Sequence, residues 1–479
     1  MSSIFSAEDV IIKSIRLGAE RFNVGAEPRY LSLGGVENDN AGGAGGAPIA
    51  VEFSVFEDMF QPYLTARLTV QDDQDLYSIA DIQGVERITF EFEAAGGQGT
   101  IITKTFIIKA IEASEKYNDY ATMLDISLID ENCYYNDQLN LSKAYSGTCE
   151  EIIRKIVADA FPYANIKILG LPSYQKKFRY IAPNVSPFVA IQTVMSKMTT
   201  ESGMPYFFYS SIVDNDFVLN DLQTIINTEA FNKNRPFVYS QASTNIDTND
   251  LESKSLSVYS YKPGRLEDTH TLTQLGAISS RFKYINTTSG ESDFLDFNMK
   301  EAVSLLIDKD FIPKDQSVIN IDEEFRPDPS GTDDRGLTSF TPVIFNEMIN
   351  DNFPDVYASG NDKRNRLIEG TGSFSGSEYE SFLKLVKEHF ISNMLKNVYT
   401  IYVPGLVFSF NSNQTTVGNQ LQLEIFKNDM SEKEVNPIDD KKSGSFIILN
   451  KRHIFDFQSK GRHTVSLNLA RLFTREILS

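Results

Sequence analysis

From Ile49 to Asp130 apolar residues recur at every second position in short runs, which is the period of a strand with one face to bury. Ile49, Val51, Phe53 and Val55 share one face. After a turn over Asp58 to Pro62, Leu64, Ala66, Leu68 and Val70 share another, and Ile88, Phe90 and Phe92 repeat the alternation. Thr105 to Ile111 and Thr122 to Ile129 predict further strands, and Ile11 to Leu17 one more before them. Short antiparallel strands with one apolar face close into a barrel or pack as a sandwich. Residues 1–132 are therefore expected to form a small β-barrel. Within them, Ser32 to Pro48 carries Gly34, Gly35, Gly42, Gly43, Gly45 and Gly46. A phosphate-cradling loop needs a Lys-Ser/Thr and a helix after the last glycine, whereas Ala47, Pro48 and a strand follow, so the stretch is expected to be a flexible loop.

The pattern changes near Asn132. Thr148 with Glu151 three residues later makes a capping box, and Ile152, Ile153, Ile156, Val157 and Phe161 lie on one helical face. Ser186 and Pro187 suit the N-cap and first turn of a second helix, with Phe188, Ile191, Met195 and Met198 inward. Strands over Tyr206 to Val213 and Asp216 to Leu222 complete an α+β domain, residues 133–242. Strand character returns from Leu251 to Tyr284 and again over Val398 to Val403, Leu406 to Phe410, Leu421 to Phe426, Ser445 to Phe457 and His463 to Leu472. These predict a second barrel in two parts, 243–290 and 396–479. The insertion between them, 291–395, has helices expected over Met299 to Ile307 and Glu378 to Asn393 and an acidic loop from Asp322 to Asp334.

With 479 residues, 41% apolar and 23% charged, the chain can support several folded domains. Its formal charge of −20 argues against tight wrapping of nucleic acid. That charge is uneven: residues 1–132 hold 22 acidic and 9 basic side chains, residues 395–479 hold 8 and 11. Cys133 and Cys149 are too few for a disulfide framework, which fits a reducing cytoplasm. The N-terminus lacks the basic start and apolar run of a secretory signal, and no window approaches 18 apolar residues, so no membrane anchor is expected.

Motifs for catalysis are missing: no His-Glu-x-x-His, paired Cys, Gly-x-Ser-x-Gly or Walker loop occurs. His453 and His463 flank a hairpin turn near Ser459 to Gly461 that would place them nearly opposite each other. They could bind a metal only with a third ligand that is not evident, and a half-exposed cross-strand pair is the preferred reading. Asp72, Asp73 and Asp75 lack the glycine and glutamate of a calcium loop, with Tyr77 at the sixth position. They read as an acidic turn, and Asp328, Asp333 and Asp334 as a solvated excursion.

The stretch Val51 to Asp72, with its acidic Glu57-Asp58 turn and the following Gly84-Val85-Glu86, resembles the central baseplate hub proteins of contractile-tailed phages of the T-even type. The resemblance continues in Arg179 to Phe188, Met204 to Tyr209, Pro404 to Phe410, Val417 to Leu421 and Ser443 to His453. It implies an α+β, mostly β fold: two tail-tube-like antiparallel β-barrels with an intervening α+β domain and an inserted helical and loop region. It further implies a homotrimer whose six barrels join the threefold central spike protein to the sixfold tail tube, with tube-initiator and baseplate wedge proteins as further partners. The turn at Glu57, Asp58 and Pro62 would meet a neighbouring subunit, and genome DNA would pass through the channel without specific binding. An acidic channel wall, or barrels meeting through complementary charge, would follow from the uneven charge. No catalytic residue, cofactor or metal is implied, and the spike is expected to be a separate protein. The location implied is the virion tail baseplate, assembled in the host bacterial cytoplasm. Against this stand two other classes, a receptor- or carbohydrate-binding tail adhesin presenting exposed aromatic platforms, and a metal-dependent hydrolase with scattered carboxylates.

Overall fold

The computed structural model describes residues 6–18, 30–35, 49–73, 82–94, 101–117, 121–174, 177–213, 215–239, 251–265, 269–285, 292–313, 317–318, 343–345, 386–409, 413–427, 438–439, 442–457, 461–471 and 473–474. The first seven strands are β1 (Val10–Gly18), β2 (Tyr30–Gly34), β3 (Ile49–Asp58), β4 (Thr65–Asp72), β5 (Arg87–Ala94), β6 (Ile102–Lys116) and β7 (Thr122–Asp130). They pair antiparallel in the order β3-β4-β7-β6-β5-β1-β2. Alternation in β4 sets its register: Ala66, Leu68 and Val70 are buried while Arg67 is exposed. The core of this barrel is aromatic, with Phe53 and Phe90 ring centroids 4.5 Å apart and Phe90 and Phe455 4.9 Å apart. Strand β2 takes up the start of the expected glycine-rich loop because Leu33 has a core position to fill. Gly35 ends it at φ 118°, where a Cβ would lie 2.4 Å from the Lys13 carbonyl oxygen. The rest of that loop, 36–48, lies outside the described residues.

The mixed segment runs through the helix Glu131–Gln138, β8 (Ala144–Gly147), the helix Cys149–Ala160, β9 (Ile166–Ile168), β10 (Phe178–Ile181), the helix Pro187–Met195, β11 (Tyr206–Ser210), β12 (Phe217–Asp221) and the helix Leu222–Asn227. The capping box forms as its spacing predicts: Glu151 N–H donates to Thr148 Oγ1 at 3.3 Å and Thr148 N–H to Glu151 Oε2 at 3.2 Å. Thr148→Ala should lower stability by about 1 kcal/mol, read as the shift of a urea unfolding curve. Ser186 occupies the N-cap of its helix, but its hydroxyl makes no cap bond. Asn136 Oδ1 instead accepts from Phe188 N–H at 2.8 Å, so a side chain from another helix closes this end.

The second barrel contains β13 (Phe237–Tyr239), β14 (Ser260–Arg265), β19 (Val398–Pro404), β20 (Gln420–Ile425), β21 (Gly444–Asp456) and β22 (Arg462–Ala470). Strand β13 pairs parallel with β20, and β20-β21-β22-β19-β14 follow in antiparallel order. A bridge between Val238 and Ser257 returns the chain leading into β14 to β13. Two expected strand regions differ. Leu251–Ser255 is helical, with Ser255 Oγ donating to Glu252 O at 2.7 Å. Leu406–Phe408 is a 3₁₀ turn, because Pro404 ends β19 without an N–H to give and Phe408 N–H donates back to Gly405 O at 2.9 Å.

Strand β15 (Ser279–Ile285) pairs with β16 (Ser292–Asn298) and β18 (Val343–Phe345) in a separate sheet, and β17 (Ser317–Val318) pairs with β23 (Phe473–Thr474). Between β14 and β15 lies the helix Thr269–Gln274, another departure from continuous strand character. The helix Met299–Asp308 matches expectation, and the described part of the other, 386–394, buries Val386 and Phe390. Residues 378–385 and the acidic loop lie outside the described residues.

What joins the barrels is the hairpin β21–β22. The first half of β21 pairs with β20, from Leu423 opposite Gly444 to Gln420 opposite Ile447, and its second half pairs with β3, from Asn450 opposite Asp58 to Asp456 opposite Glu52. Accordingly Phe446 to Leu449 belong to one apolar core and Phe455 to the other. A bridge between Asp9 and Arg462 brings β1 back to β22, so the hairpin serves as a wall of both barrels.

Candidate functional site at the junction of the barrels

Alternation carries β3 inward at Phe53, Val55 and Glu57, and β21 inward at Leu449, Lys451, His453 and Phe455. Both strands therefore turn polar side chains into the seam between the two cores. Lys451 Nζ lies 3.1 Å from Glu57 Oε1 and donates to Thr415 O at 3.0 Å. His453 Nε2 stands 3.4 Å from the same Glu57 oxygen. His453 Nδ1 and His463 Nε2 are 2.9 Å apart, and His463 Nδ1 is 2.8 Å from Ser409 Oγ. Ile212 N–H, from the segment after β11, donates to Glu57 Oε1 at 3.1 Å. All five side chains are nearly dry: Glu57 is 1% exposed, Lys451 2%, and Ser409, His453 and His463 0%.

The protonation of this row follows from its geometry. The single Ser409 hydroxyl proton can go to Gly405 O, 3.0 Å away, or to His463 Nδ1; when it is donated to His463 Nδ1, His463 Nε2–H donates to His453 Nδ1 and His453 Nε2–H points at the Glu57 carboxylate. The opposite polarity would set a bare nitrogen lone pair against that carboxylate. Burial pushes the Glu57 carboxyl up, but the Lys451 ammonium, His453 and the Ile212 N–H outweigh it and hold it at about 2. Burial and then the Lys451 charge push His453 down to about 4. His463 is driven well below the ordinary range by burial, His453 and Lys451. Burial also lowers Lys451, against the pull of Glu57. At neutral pH the site is one carboxylate, one ammonium and two neutral imidazoles. Glu57 Oε2 and His453 Nε2 carry no hydrogen bond of good geometry.

Serine, histidine and a carboxylate in a row are the residue types of a nucleophilic relay, but here all are sealed between two cores and within reach of Lys451. The arrangement can hold strands together and take up protons. The two histidines do not sit opposite each other, since His453 faces Val465 and His463 faces Phe455, and both are fully buried rather than half-exposed. Their diagonal offset is what lets ring nitrogens, rather than ring faces alone, meet. Among the described residues no group of three His, Cys, Asp or Glu could hold a metal.

Of the turn residues singled out from the sequence, Glu57 belongs to this buried row. Asp58 is half-buried, its carboxyl raised by burial, and its Oδ1 accepts from Phe60 N–H at 2.8 Å. Pro62 is buried and its carbonyl accepts from Ser210 Oγ at 2.8 Å. The turn thus ties β3 to β11 within the chain, with Phe60, 41% exposed, as its outward member. Asp72 is buried and Asp73 exposed, while Asp75, Asp328, Asp333 and Asp334 lie outside the described residues. Cys133 and Cys149 are buried and form no disulfide among the described residues, and burial pushes the Cys133 thiol up to about 12. Sequence reasoning did not find Lys451 or Ser409. The signal for Lys451 was present, a basic residue on the inward face of β21 matched by an acidic one on the inward face of β3.

No protein-family model matches the chain, and no curated protein sequence matches it. Among solved structures it is similar to a 43 kDa tail protein of prophage MuSo2 from Shewanella oneidensis, at 11% identity and a TM-score of 0.49, covering 96% of this chain and 98% of that one. It is also similar to a tail protein from Neisseria meningitidis, at 12% identity and a TM-score of 0.45, covering 96% of both chains. A prophage tail protein from Listeria monocytogenes aligns at 9% identity and a TM-score of 0.41, over 95% of this chain and 94% of that one.

Proposed function

We propose that the chain is a structural tail protein, the homotrimeric central hub of a contractile phage-type baseplate. In this role it joins a threefold central spike protein to the sixfold tail tube or its initiator, contacts baseplate wedge proteins, and lines part of the channel through which genome DNA passes. The observation that carries the reading is the shared β21–β22 hairpin, which fixes two barrels at one spacing in a continuous sheet. Three copies of such a pair present six barrels in a ring, a geometric route from threefold to sixfold symmetry.

The solvent side of that continuous sheet suits a channel wall. Across β19, β22, β21, β3 and β4 it shows Thr400, Ser466, Asn468, Asn450, Thr65 and Thr69, with Arg452 paired to Glu52 at 2.9 Å. Arg67 is held by Asp125 of β7. The same face also carries Asp58 and Asp456, so the wall in this reading is polar and has no excess of positive charge to hold phosphate. The chain has no catalytic role in the proposal, which places it in the virion baseplate, assembled in the host bacterial cytoplasm.

Mass by light scattering, with negative-stain images of the same fraction, tests this. The expected result is three times the 53.9 kDa chain mass, plus the mass of the spike where spike protein is added and binds, and a ring with six lobes. A monomer under both conditions overturns the hub and moves the adhesin reading ahead.

A further inference from the structure

The row Ser409, His463, His453, Glu57 and Lys451 stands where the only ladder between the barrels runs among the described residues, apart from the single bridge at Asp9 and Arg462. The apolar cores lie on either side of it and are distinct clusters. Opening β3 from β21 would wet this row and expose the first core where Phe455 packs on Phe90 and Phe92, while the second core, on the β20 side of the hairpin, stays packed. We propose that the row is a proton-operated joint, in which charging the buried histidine pair frees β3 from β21 and opens the first barrel along this seam before the second barrel or the remaining strands of the first unfold.

Every element packed around the pair bears on the sign. From β3 comes the Glu57 carboxylate, from β21 the Lys451 ammonium, and from the 3₁₀ turn the Ser409 hydroxyl. From β11, Tyr209 brings a phenol into the field of Glu57. The aromatic rings of Phe455 and Phe92 lie 4.4 and 6.3 Å from the His463 ring and exclude water. On the other face of the same strands stand Asp58, Asp456 and the Glu52–Arg452 pair. With Nε2–H already on Glu57, the proton that charges His453 goes on Nδ1 and displaces the bond from His463 Nε2–H. A second, on His463, faces an imidazolium 2.9 Å away and the Lys451 charge, against the help of the Ser409 hydroxyl and the Gly405 backbone.

In the closed joint His453 titrates at about 4 against 6.5 in water, so the open form binds more protons between those values. The closed joint is therefore at full strength above about pH 6.5 and weakens as pH falls toward 4. For His453 alone the difference biases opening by roughly a few hundred-fold across that window. Glu57, held at about 2, remains charged throughout it.

Hydrogen exchange on the full chain, read by mass spectrometry and corrected for the intrinsic rate at each pH, is the test. Between pH 7 and 4.5, peptides over 52–58 and 450–456 should lose protection at least tenfold, while those over β5, β6 and β20 keep theirs. In the His453→Gln/His463→Gln double variant, protection of the seam should no longer change over this range. Should that variant not fold, the imidazole carbon resonances of the unmodified protein replace it, and their midpoint should coincide with that of seam opening. Loss of protection in seam and cores together, a seam still closed at pH 4, an unchanged profile in the double variant, or discordant midpoints would each overturn the proposal. None of these outcomes depends on the assembly in which the chain works.

Discussion

Lys451→Met should destabilise the chain by about 3–5 kcal/mol, the cost of leaving a buried carboxylate without its counter-charge. Methionine keeps the stem that packs along Phe408, whose ring centroid lies 5.7 Å from Lys451 Nζ, so little of the loss comes from packing. What disappears is the charge that offsets the burial of Glu57, together with the donor to Thr415 O at 3.0 Å. Without Lys451, burial raises the Glu57 carboxyl above its value in the unfolded chain. The folded state of the variant then binds the extra proton, and its stability should rise as pH is lowered through the carboxylate range, opposite to what Glu57 contributes in the unmodified protein. Adding Glu57→Leu to Lys451→Met should recover most of the loss, because a pair of apolar side chains replaces a buried ion pair at little net cost. Urea midpoints for the two single variants and the double variant measure this cycle. Losses that simply add would mean that the two groups are not coupled through the seam.

The same pair illustrates what the sequence makes legible. Period-2 alternation places Phe53, Val55 and Glu57 on one face of β3 and Leu449, Lys451, His453 and Phe455 on one face of β21 without reference to any structure. It cannot say that these strands, about 400 residues apart, lie side by side, since pairing is decided by non-local contacts. Hence two barrels and the hairpin turn near Ser459 to Gly461 were legible, but not that both barrels share that hairpin. The Thr148 capping box was legible because both partners lie within one turn. Capping of the neighbouring helix by Asn136, 52 residues from Phe188, was not. The strand expected at Leu406 to Phe410 gave way to a 3₁₀ turn because buried Leu406 and Phe408 satisfy either pattern over so short a run. Deeply placed histidines were read as half-exposed for a related reason: their neighbours along the strand are alternately polar and apolar, and only the wrapping of β3 and the turn at Ser409 closes over them.

Gly405→Ala should be as damaging as the loss of Lys451, though by a steric route. A Cβ at Gly405 would lie 2.2 Å from both Cγ and Nδ1 of His463 and 2.5 Å from its carbonyl oxygen. The backbone cannot retreat, because Gly405 N–H donates to that same carbonyl at 2.8 Å and Leu406 N–H to Ala7 O at 3.1 Å. Nor can the ring swing away, since one of its nitrogens meets Ser409 and the other His453. Gly405 has φ −80°, so the restriction is space and not backbone strain. Relief would have to break the histidine row or part the Gly405–His463 backbone pair, and an expected loss of about 3 kcal/mol lies at the upper end of overpacking. Gly264→Ala is the matched comparison: its Cβ would meet nothing closer than the Val398 carbonyl oxygen at 3.3 Å, on an exposed strand, and should cost about 0.5 kcal/mol. Equal urea midpoints for the two variants would show that the His463 ring has room the packing denies it. A deficit confined to Gly405→Ala, removed when His463→Ala is added, would place the clash at the junction of the barrels.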